Sequence, residues 1–212
     1  MRQGLLPVLL LLTPLCSGCT SPATRQPYHL ILGFDTSTSF RQNLPGSVNA
    51  GISVIRSLEP ARDTLTLFRA DAEADEFLDN APPTSREKLQ LQLAKELIDQ
   101  PAQAGTRPSR FWRKAAEAAD RASTATAIVF FTDGENDDRS PASDQEFRTA
   151  LQRLAENAKV TRVCVWGISR ASREDVRASF EPFGLHPDLR GPDELGDRAA
   201  LQSSMFTNGG LR

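Results

Sequence analysis

Short oxygen-bearing side chains occur at three separate places in the sequence. They form the segments Asp35-Thr36-Ser37-Thr38-Ser39, Gly105-Thr106 and Thr132-Asp133-Gly134. Carboxylate and hydroxyl oxygens, without His or Cys, suit a hard cation such as Mg²⁺ or Mn²⁺, with Ca²⁺ as a further candidate. Side chains at alternate positions can converge on one point when the chain turns off the end of a strand. We therefore expect Asp35, Ser37 and Ser39 to face one divalent ion.

The acidic residues that follow the last of these segments form a second candidate pattern. Asp133, Glu135 and Asp137 alternate like the ligands of an EF-hand loop. That loop needs Gly at its sixth position, where this sequence has Asp138, and an apolar run precedes the segment instead of a helix. The EF-hand interpretation is therefore excluded, and we expect the extra acids to form a solvated rim.

Short apolar or β-branched runs predict the strands that position these segments. They cover residues 29–34, 64–69, 127–131 and 162–166, and a run at 75–79 is expected to form an antiparallel edge hairpin with the second. Amphipathic helical segments lie between them. This alternation predicts an α/β fold with a doubly wound, mostly parallel sheet, one antiparallel edge strand and helices on both faces. In such folds ligands bind at the carboxyl ends of the strands, where the candidate residues lie.

Several candidate helix starts carry a capping or proline signal. They are Thr84 with Glu87, Ser143 with Glu146, Ser172, and Pro192 in the first turn of a last helix that ends near Met205. Thr106 directly precedes the Ala-rich third helix, so we expect its hydroxyl at the N-terminus of that helix.

Three motifs follow one another along the chain: Asp-x-Ser-x-Ser, Gly-Thr before a helix, and Thr-Asp-Gly after an apolar strand. Their order and placement resemble the metal-ion-dependent adhesion site of von Willebrand factor A domains. The resemblance covers residues 28–206. It implies that Ser37, Ser39 and Thr106 touch the metal directly, whereas Asp35 and Asp133 act through water. We expect Asp35 to lie on a loop surface, so that its replacement abolishes metal binding but leaves most of the stability intact.

The resemblance also implies a protein partner that offers an Asp or Glu to an open coordination position of the ion. Coulomb attraction between a divalent ion and a carboxylate is large, although desolvation of both groups cancels much of it. Basic residues follow the Gly-Thr segment, and they either reinforce the binding of an acidic partner or form a solvated helix face. They are Arg107, Arg110, Arg113 and Lys114.

The N-terminus has the features of a bacterial export signal. Arg2 precedes an apolar run over residues 5–15, which is too short to span a bilayer as a helix. The run leads into Ser17-Gly18-Cys19, which resembles a lipobox with Cys19 as the lipidated residue, although Cys16 stands where that pattern usually has Leu. The chain is thereby divided into a signal peptide at 1–18, the lipidated cysteine and a short tether at 19–27, a domain at 28–206 and a tail at 207–212.

Lipidation would place the domain in the cell envelope. Thr20 follows the cysteine, and the absence of Asp there favours the outer membrane, facing the periplasm, over the inner membrane of a Gram-negative host. The alternative is an ordinary secretory signal in which Cys19 is incidental. Cys164 lies in an apolar run, as expected of a small buried hydrophobe, and in the absence of a lipid it could instead form a disulfide with Cys19.

Composition and motifs together favour a binding module over an enzyme. The formal net charge of −2 lacks the basic surplus of a nucleic-acid binder. A metal-assisted hydrolase that uses the same carboxylates and hydroxyls is the alternative, and a scaffold whose site binds no metal is a third. The histidines, His29 and His186, lie outside the candidate segments, and Ser37 stands where an aspartyl-phosphate phosphatase has its second Asp. The leading hypothesis is therefore metal-dependent capture of a protein at a membrane surface.

Overall fold

A single six-stranded sheet organises the chain in the computed structural model, which describes residues 26–102 and 105–206. The strands are β1 (Tyr28–Asp35), β2 (Thr64–Ala70), β3 (Ala74–Ala81), β4 (Ala125–Phe131), β5 (Val160–Trp166) and β6 (Asp188–Arg190). Their order across the sheet is β3-β2-β1-β4-β5-β6. All neighbouring pairs are parallel except β2 and β3, which form the predicted antiparallel edge hairpin. The predicted fold class is confirmed.

Helices cover both faces of this sheet, as predicted. They are α1 (Leu44–Ile55), α2 (Arg86–Leu93), which continues as a π-helix (Ala94–Ile98), α3 (Pro108–Arg121), α4 (Pro141–Glu156), α5 (Arg173–Phe180) and α6 (Arg198–Phe206). Short 3₁₀ segments cover Glu181–Phe183 and Pro192–Gly196. The prediction of a single last helix that begins at Pro192 is therefore wrong. A 3₁₀ segment comes first, and Asp197 separates it from α6.

Two predicted capping boxes are also wrong. The cap of α2 is Ser85 instead of Thr84, and its hydroxyl accepts a hydrogen bond from the backbone N–H of Lys88. The cap of α4 is Ser140 instead of Ser143, because Pro141 occupies the first turn, where its missing N–H costs nothing. Ser143 lies inside that turn, where its backbone N–H donates to Ser140 Oγ at 3.2 Å.

Alternating side chains of the strands build one hydrophobic cluster on each face of the sheet. Leu30, Leu32 and Phe34 of β1 pack with α1, α2 and α6, whereas Ile31 packs with α3 and α4 on the opposite face. Gly33 shares the face of Ile31, and a Cβ there would lie 2.2 Å from the ring of Phe111. The absent side chain thus lets α3 approach the centre of the sheet closely.

Cys164 is a small buried hydrophobe, as expected. Its side chain is fully buried, and its Sγ lies 3.8 Å from Met205 Sδ. Cys19, the signal peptide, most of the tether and the tail at 207–212 lie outside the described residues. Within residues 26–102 and 105–206, no helix is long and apolar enough to cross a membrane.

Candidate metal site

The segments singled out in the sequence meet at the carboxyl edge of the sheet. Asp35 is the last residue of β1, and Thr132 and Asp133 directly follow β4, the parallel neighbour of β1. Thr106 lies just before α3. The chain leaves β1 towards β2 on one side, whereas β4 lies on the other, so these residues lie at a switch point of the strand order.

The Asp35 carboxylate is the centre of this edge. Its Oδ1 accepts the backbone N–H of Ser37 at 2.8 Å, and its Oδ2 accepts the hydroxyl of Thr132 at 2.8 Å. The Thr106 hydroxyl donates to the same carboxylate, 3.2 Å from Oδ1 and 3.3 Å from Oδ2. Asp35 is fully buried, so the expectation that it lies on a loop surface is wrong. Removing it would leave buried donors without an acceptor, which costs stability.

Burial raises the pKa of Asp35 to about 6. Hydrogen bonds from Ser37 and Thr132 act in the opposite direction, and the negative charge of Asp133 adds to the rise. Within the described residues, no Lys or Arg forms an ion pair with Asp35. A buried carboxylate that has only neutral donors around it is an environment that a bound cation would stabilise.

The hydroxyls of Ser37 and Ser39 lie together beside this carboxylate. Their Oγ atoms are 3.2 Å apart, with Ser37 buried and Ser39 exposed. Asp35, Ser37, Ser39 and Thr106 are thus connected to one another by hydrogen bonds, which extend from the buried edge to the surface. Ser37 thus contacts both Asp35 and Ser39.

Asp133 is less closely connected to the other candidate residues. Its Oδ1 accepts the backbone N–H of Glu135 at 3.0 Å, in a turn that is half exposed. Among the described residues, none of the other four candidates forms a hydrogen bond with its side chain. Its negative charge contributes to the raised pKa of Asp35.

The site contains two residues that were not among the five predicted metal-site residues. Thr132 was noted only as part of the Thr132-Asp133-Gly134 segment, yet its hydroxyl contacts Asp35 and also accepts the N–H of Gly134 at 3.1 Å. Asp137 was expected on a solvated rim. It is exposed, as expected, but its Oδ2 also accepts the backbone N–H of Thr106 at 2.7 Å, and its own N–H donates to Thr106 O at 3.1 Å.

Asp71, which directly follows β2, supports the same edge. Its backbone carbonyl accepts the N–H of Arg107, and its Oδ2 accepts the hydroxyl of Thr36 at 3.3 Å. The loop before α3 is therefore held by Asp71 on one side and by Asp137 on the other. Only the position of Asp71 directly after a strand could have indicated this role.

The basic residues that follow Thr106 are engaged within the domain. Arg110 and Arg113 lie 3.1 and 2.7 Å from Glu146 Oε1, and Arg107 lies 3.6 Å from Asp138. Lys114 lies 3.6 Å from Glu117. These pairs favour the interpretation of a solvated helix face over that of a surface free to bind an acidic partner.

The donor set fits a hard cation bound largely by hydroxyls and water. Among the described residues, no group of three His, Cys, Asp or Glu side chains is placed to hold a metal ion. A metal at this edge would therefore depend on Ser37, Ser39 and Thr106, with Asp35 and Asp133 supplying negative charge. Hydroxyl and carboxylate oxygens match Mg²⁺ or Mn²⁺ better than softer metals.

Neither histidine contacts these residues. His29 lies at the amino end of β1, where burial lowers its pKa to about 4 and its ring contacts the hydroxyls of Thr64 and Thr66. His186 is exposed in the segment before β6. Among the described residues, the site thus has no histidine that could act as the base of a hydrolase.

Solved structures with the same architecture include von Willebrand A domains. The chain matches no known family profile and, at a significant level, no curated protein. It is similar to a von Willebrand factor type A protein from Catenulispora acidiphila, with 16% identity and a TM-score of 0.66 over 85% of this chain and 43% of that one. The fold is that of a von Willebrand A domain. At this identity the similarity shows the fold alone.

Two further solved structures have a similar fold. BatB from Bacteroides thetaiotaomicron has 16% identity and a TM-score of 0.64, over 84% of this chain and 97% of that one. Proximal thread matrix protein 1 from the mussel byssus, solved with a zinc-occupied MIDAS motif, has 14% identity and a TM-score of 0.59 over 85% of this chain and 46% of that one. The chain thus spans less than half the length of the Catenulispora and mussel proteins. A divalent metal occupies the adhesion-site motif in one von Willebrand A fold of this set.

Proposed function

We propose that this protein is a binding module that captures a protein partner through a divalent ion, Mg²⁺ or Mn²⁺, at the carboxyl edge of its sheet. The hydroxyls of Ser37, Ser39 and Thr106 hold the ion, while Asp35 and Asp133 act through water. The bound ion supplies an open coordination position that accepts an Asp or Glu of the partner. The observation that carries the proposal is the buried Asp35 carboxylate, which neutral donors from Ser37, Thr106 and Thr132 surround.

Each residue has a definite task in this proposal. Asp35 orients the Thr106 hydroxyl by accepting a hydrogen bond from it, so that the oxygen lone pairs face away from the carboxylate. Asp137 fixes the backbone of Thr106 and thereby its position relative to β1. Preorganisation of this kind lowers the ordering cost of binding. Binding, and not catalysis, is proposed because His29 and His186 both lie away from the site.

The anchor belongs to the same proposal. Cys19 carries a lipid that holds the domain in the cell envelope, at the outer membrane facing the periplasm. A tether over residues 20–27 spans at most about 28 Å when extended. It leads to Tyr28 at the amino end of β1, whereas Asp35 ends the same strand at the opposite edge. The site is thus oriented away from the membrane, where soluble or wall-bound proteins can reach it.

Affinity capture from the cell envelope of the source organism tests the proposal. The wild-type protein should retain a partner in Mg²⁺ and release it in EDTA. Thr106→Val should fail to retain it, because the variant keeps the shape of the side chain but loses the hydroxyl. Thr126→Val is the matched control, since Thr126 is equally buried but lies at the amino end of β4. Capture that is insensitive to EDTA, or equal for both variants, would contradict the proposal.

A further inference from the structure

A cavity opens beside the carboxyl edge of the sheet, between α3, α4 and α5. Its volume is about 370 Å³, which is within the range of roughly 300–1,000 Å³ for ligand pockets in proteins. Aromatic side chains form much of its wall. They are Trp112, Phe130, Phe147, Phe180 and Phe183.

The rings of this wall already pack edge to face. Phe180 contacts Trp112 with the ring centres 5.2 Å apart and the planes at 79°, and it contacts Phe147 at 5.9 Å and 87°. Phe147 and Phe183 are only partly buried. Aromatic groups prefer this arrangement, so an additional ring that enters the cavity can extend it.

The cavity shares residues with the candidate metal site. Thr132 lines it and also donates to Asp35 at 2.8 Å. Gly134 lines it as well, with a φ of +86°, and a Cβ there would lie 2.9 Å from Ile168 Cδ1. Glycine thus lets the loop after Asp133 lie against the cavity wall. The cavity and the candidate metal site thus adjoin at the residues that follow β4.

Two polar groups of the cavity lining, Asn136 and Arg148, can donate hydrogen bonds to a ligand. Asn136 uses its Oδ1 to accept the N–H of Asp138, and among the described residues its amide nitrogen has no partner. The Arg148 guanidinium also forms no ion pair within the described part of the chain, and it is exposed. The acids at the mouth, Asp144 and Asp175, lie in the first turns of α4 and α5, where the helix dipole stabilises them.

We propose that this cavity binds an aromatic side chain of the same protein segment whose carboxylate reaches the metal site. The inference rests on the proposed function and adds the chemistry of the partner, an acidic segment with an aromatic residue close to the acid. Among the described residues, α6 is the last helix, and it packs against α1 on the opposite face of the sheet, away from the cavity.

Synthetic peptides test the inference on the purified full chain, kept in a non-ionic detergent. Each peptide of the first series begins with N-acetyl-Phe, ends with Glu amide, and has a glycine spacer of increasing length between them. The second series has Ala in place of Phe. In Mg²⁺, the best Phe peptide should bind about tenfold more tightly than its Ala counterpart, a difference of about 1.4 kcal/mol. Ala178→Trp, which fills the cavity mouth from α5, should remove this advantage without changing the affinity of the Ala peptide.

The matched control is Ala155→Trp, an exposed alanine of α4 away from the cavity, which should behave like the wild type. Metal-dependent binding of both peptides with equal affinity would overturn the inference and leave the proposed function standing. If EDTA changes the binding of neither peptide, the proposed function fails. N-acetylphenylalaninamide, which has no carboxylate, then tests the cavity alone. If the amide binds to the wild type but not to Ala178→Trp, the cavity is an aromatic site. If the amide does not bind to the wild type, the inference is overturned.

Discussion

Replacing Thr132 by Val tests whether the Asp35 carboxylate is held as the structure shows. The variant keeps the shape of the side chain and removes one hydroxyl. That hydroxyl donates to Asp35 Oδ2 at 2.8 Å and accepts the N–H of Gly134 at 3.1 Å, and Thr132 is 2% exposed. A hydrogen bond to a charged group contributes about 1.5–3 kcal/mol. We therefore expect the free energy of unfolding to fall by about 2 kcal/mol.

Thr126→Val is the control for the general cost of a buried hydroxyl in β4. Thr126 is fully buried, and its hydroxyl donates to the backbone carbonyl of Thr124 at 3.1 Å, which is a neutral pair. Its loss should cost only about 1 kcal/mol. Urea unfolding of both variants and the wild type in EDTA, at neutral pH and with equal m values, measures the difference.

Repeating the urea series with Mg²⁺ separates the two variants further. A ligand that binds only the folded state raises its stability by an amount set by its concentration and affinity. The wild type and Thr126→Val should gain equally from Mg²⁺, whereas Thr132→Val should gain less, because its Asp35 carboxylate is less well positioned. Equal losses in EDTA for the two variants would refute the assigned role of Thr132.

Three further predictions concern packing, pH and anchoring. Gly33→Ala should lower the free energy of unfolding by about 1–3 kcal/mol, measured in urea, because its Cβ meets the Phe111 ring. Burial lowers the pKa of His29 from 6.5 to about 4. The folded state therefore has its full stability above pH 6.5, where His29 is neutral in the folded and the unfolded state. The free energy of unfolding should fall by roughly 3 kcal/mol as the pH falls from 6.5 to 4. His29→Gln should remove that part of the pH dependence, and an unchanged profile would contradict it. Cys19→Ser should abolish lipid-dependent processing and membrane fractionation, and normal processing would argue for an ordinary secretory signal.

The sequence predicted the parts of this fold that depend on local periodicity. The buried strands read as apolar runs, and Asp35 and Asp133 could be placed at strand ends because each follows such a run. The edge strand β6 has no such signal, since its residues Asp188–Arg190 are all partly buried and flanked by loops. The antiparallel edge followed from the pattern because β2 and β3 are separated by a short turn. The order β3-β2-β1-β4-β5-β6 was not predicted, because it depends on pairing between strands distant in sequence.

The missed features depend on contacts between residues distant in sequence. Asp137 and Thr106 are 31 positions apart, so nothing near either residue indicates their hydrogen bond. The burial of Asp35 likewise depends on neighbouring segments that cover the end of β1. The error at α4 was local, since Ser140 followed by Pro141 is itself a helix-start signal that competes with Ser143.

Titration calorimetry with Mg²⁺ and Mn²⁺, in the presence and absence of acetate as an acidic ligand, tests the central claim most directly. The wild-type protein should bind one ion per domain, and acetate should strengthen the binding by filling the open position. Ser37→Ala should lose the binding. Ser53→Ala should keep it, because Ser53 Oγ donates to Asn49 O within α1, away from the site. If the wild type binds neither ion under either condition, or if Ser37→Ala binds as well as the wild type, the metal site proposed here is wrong.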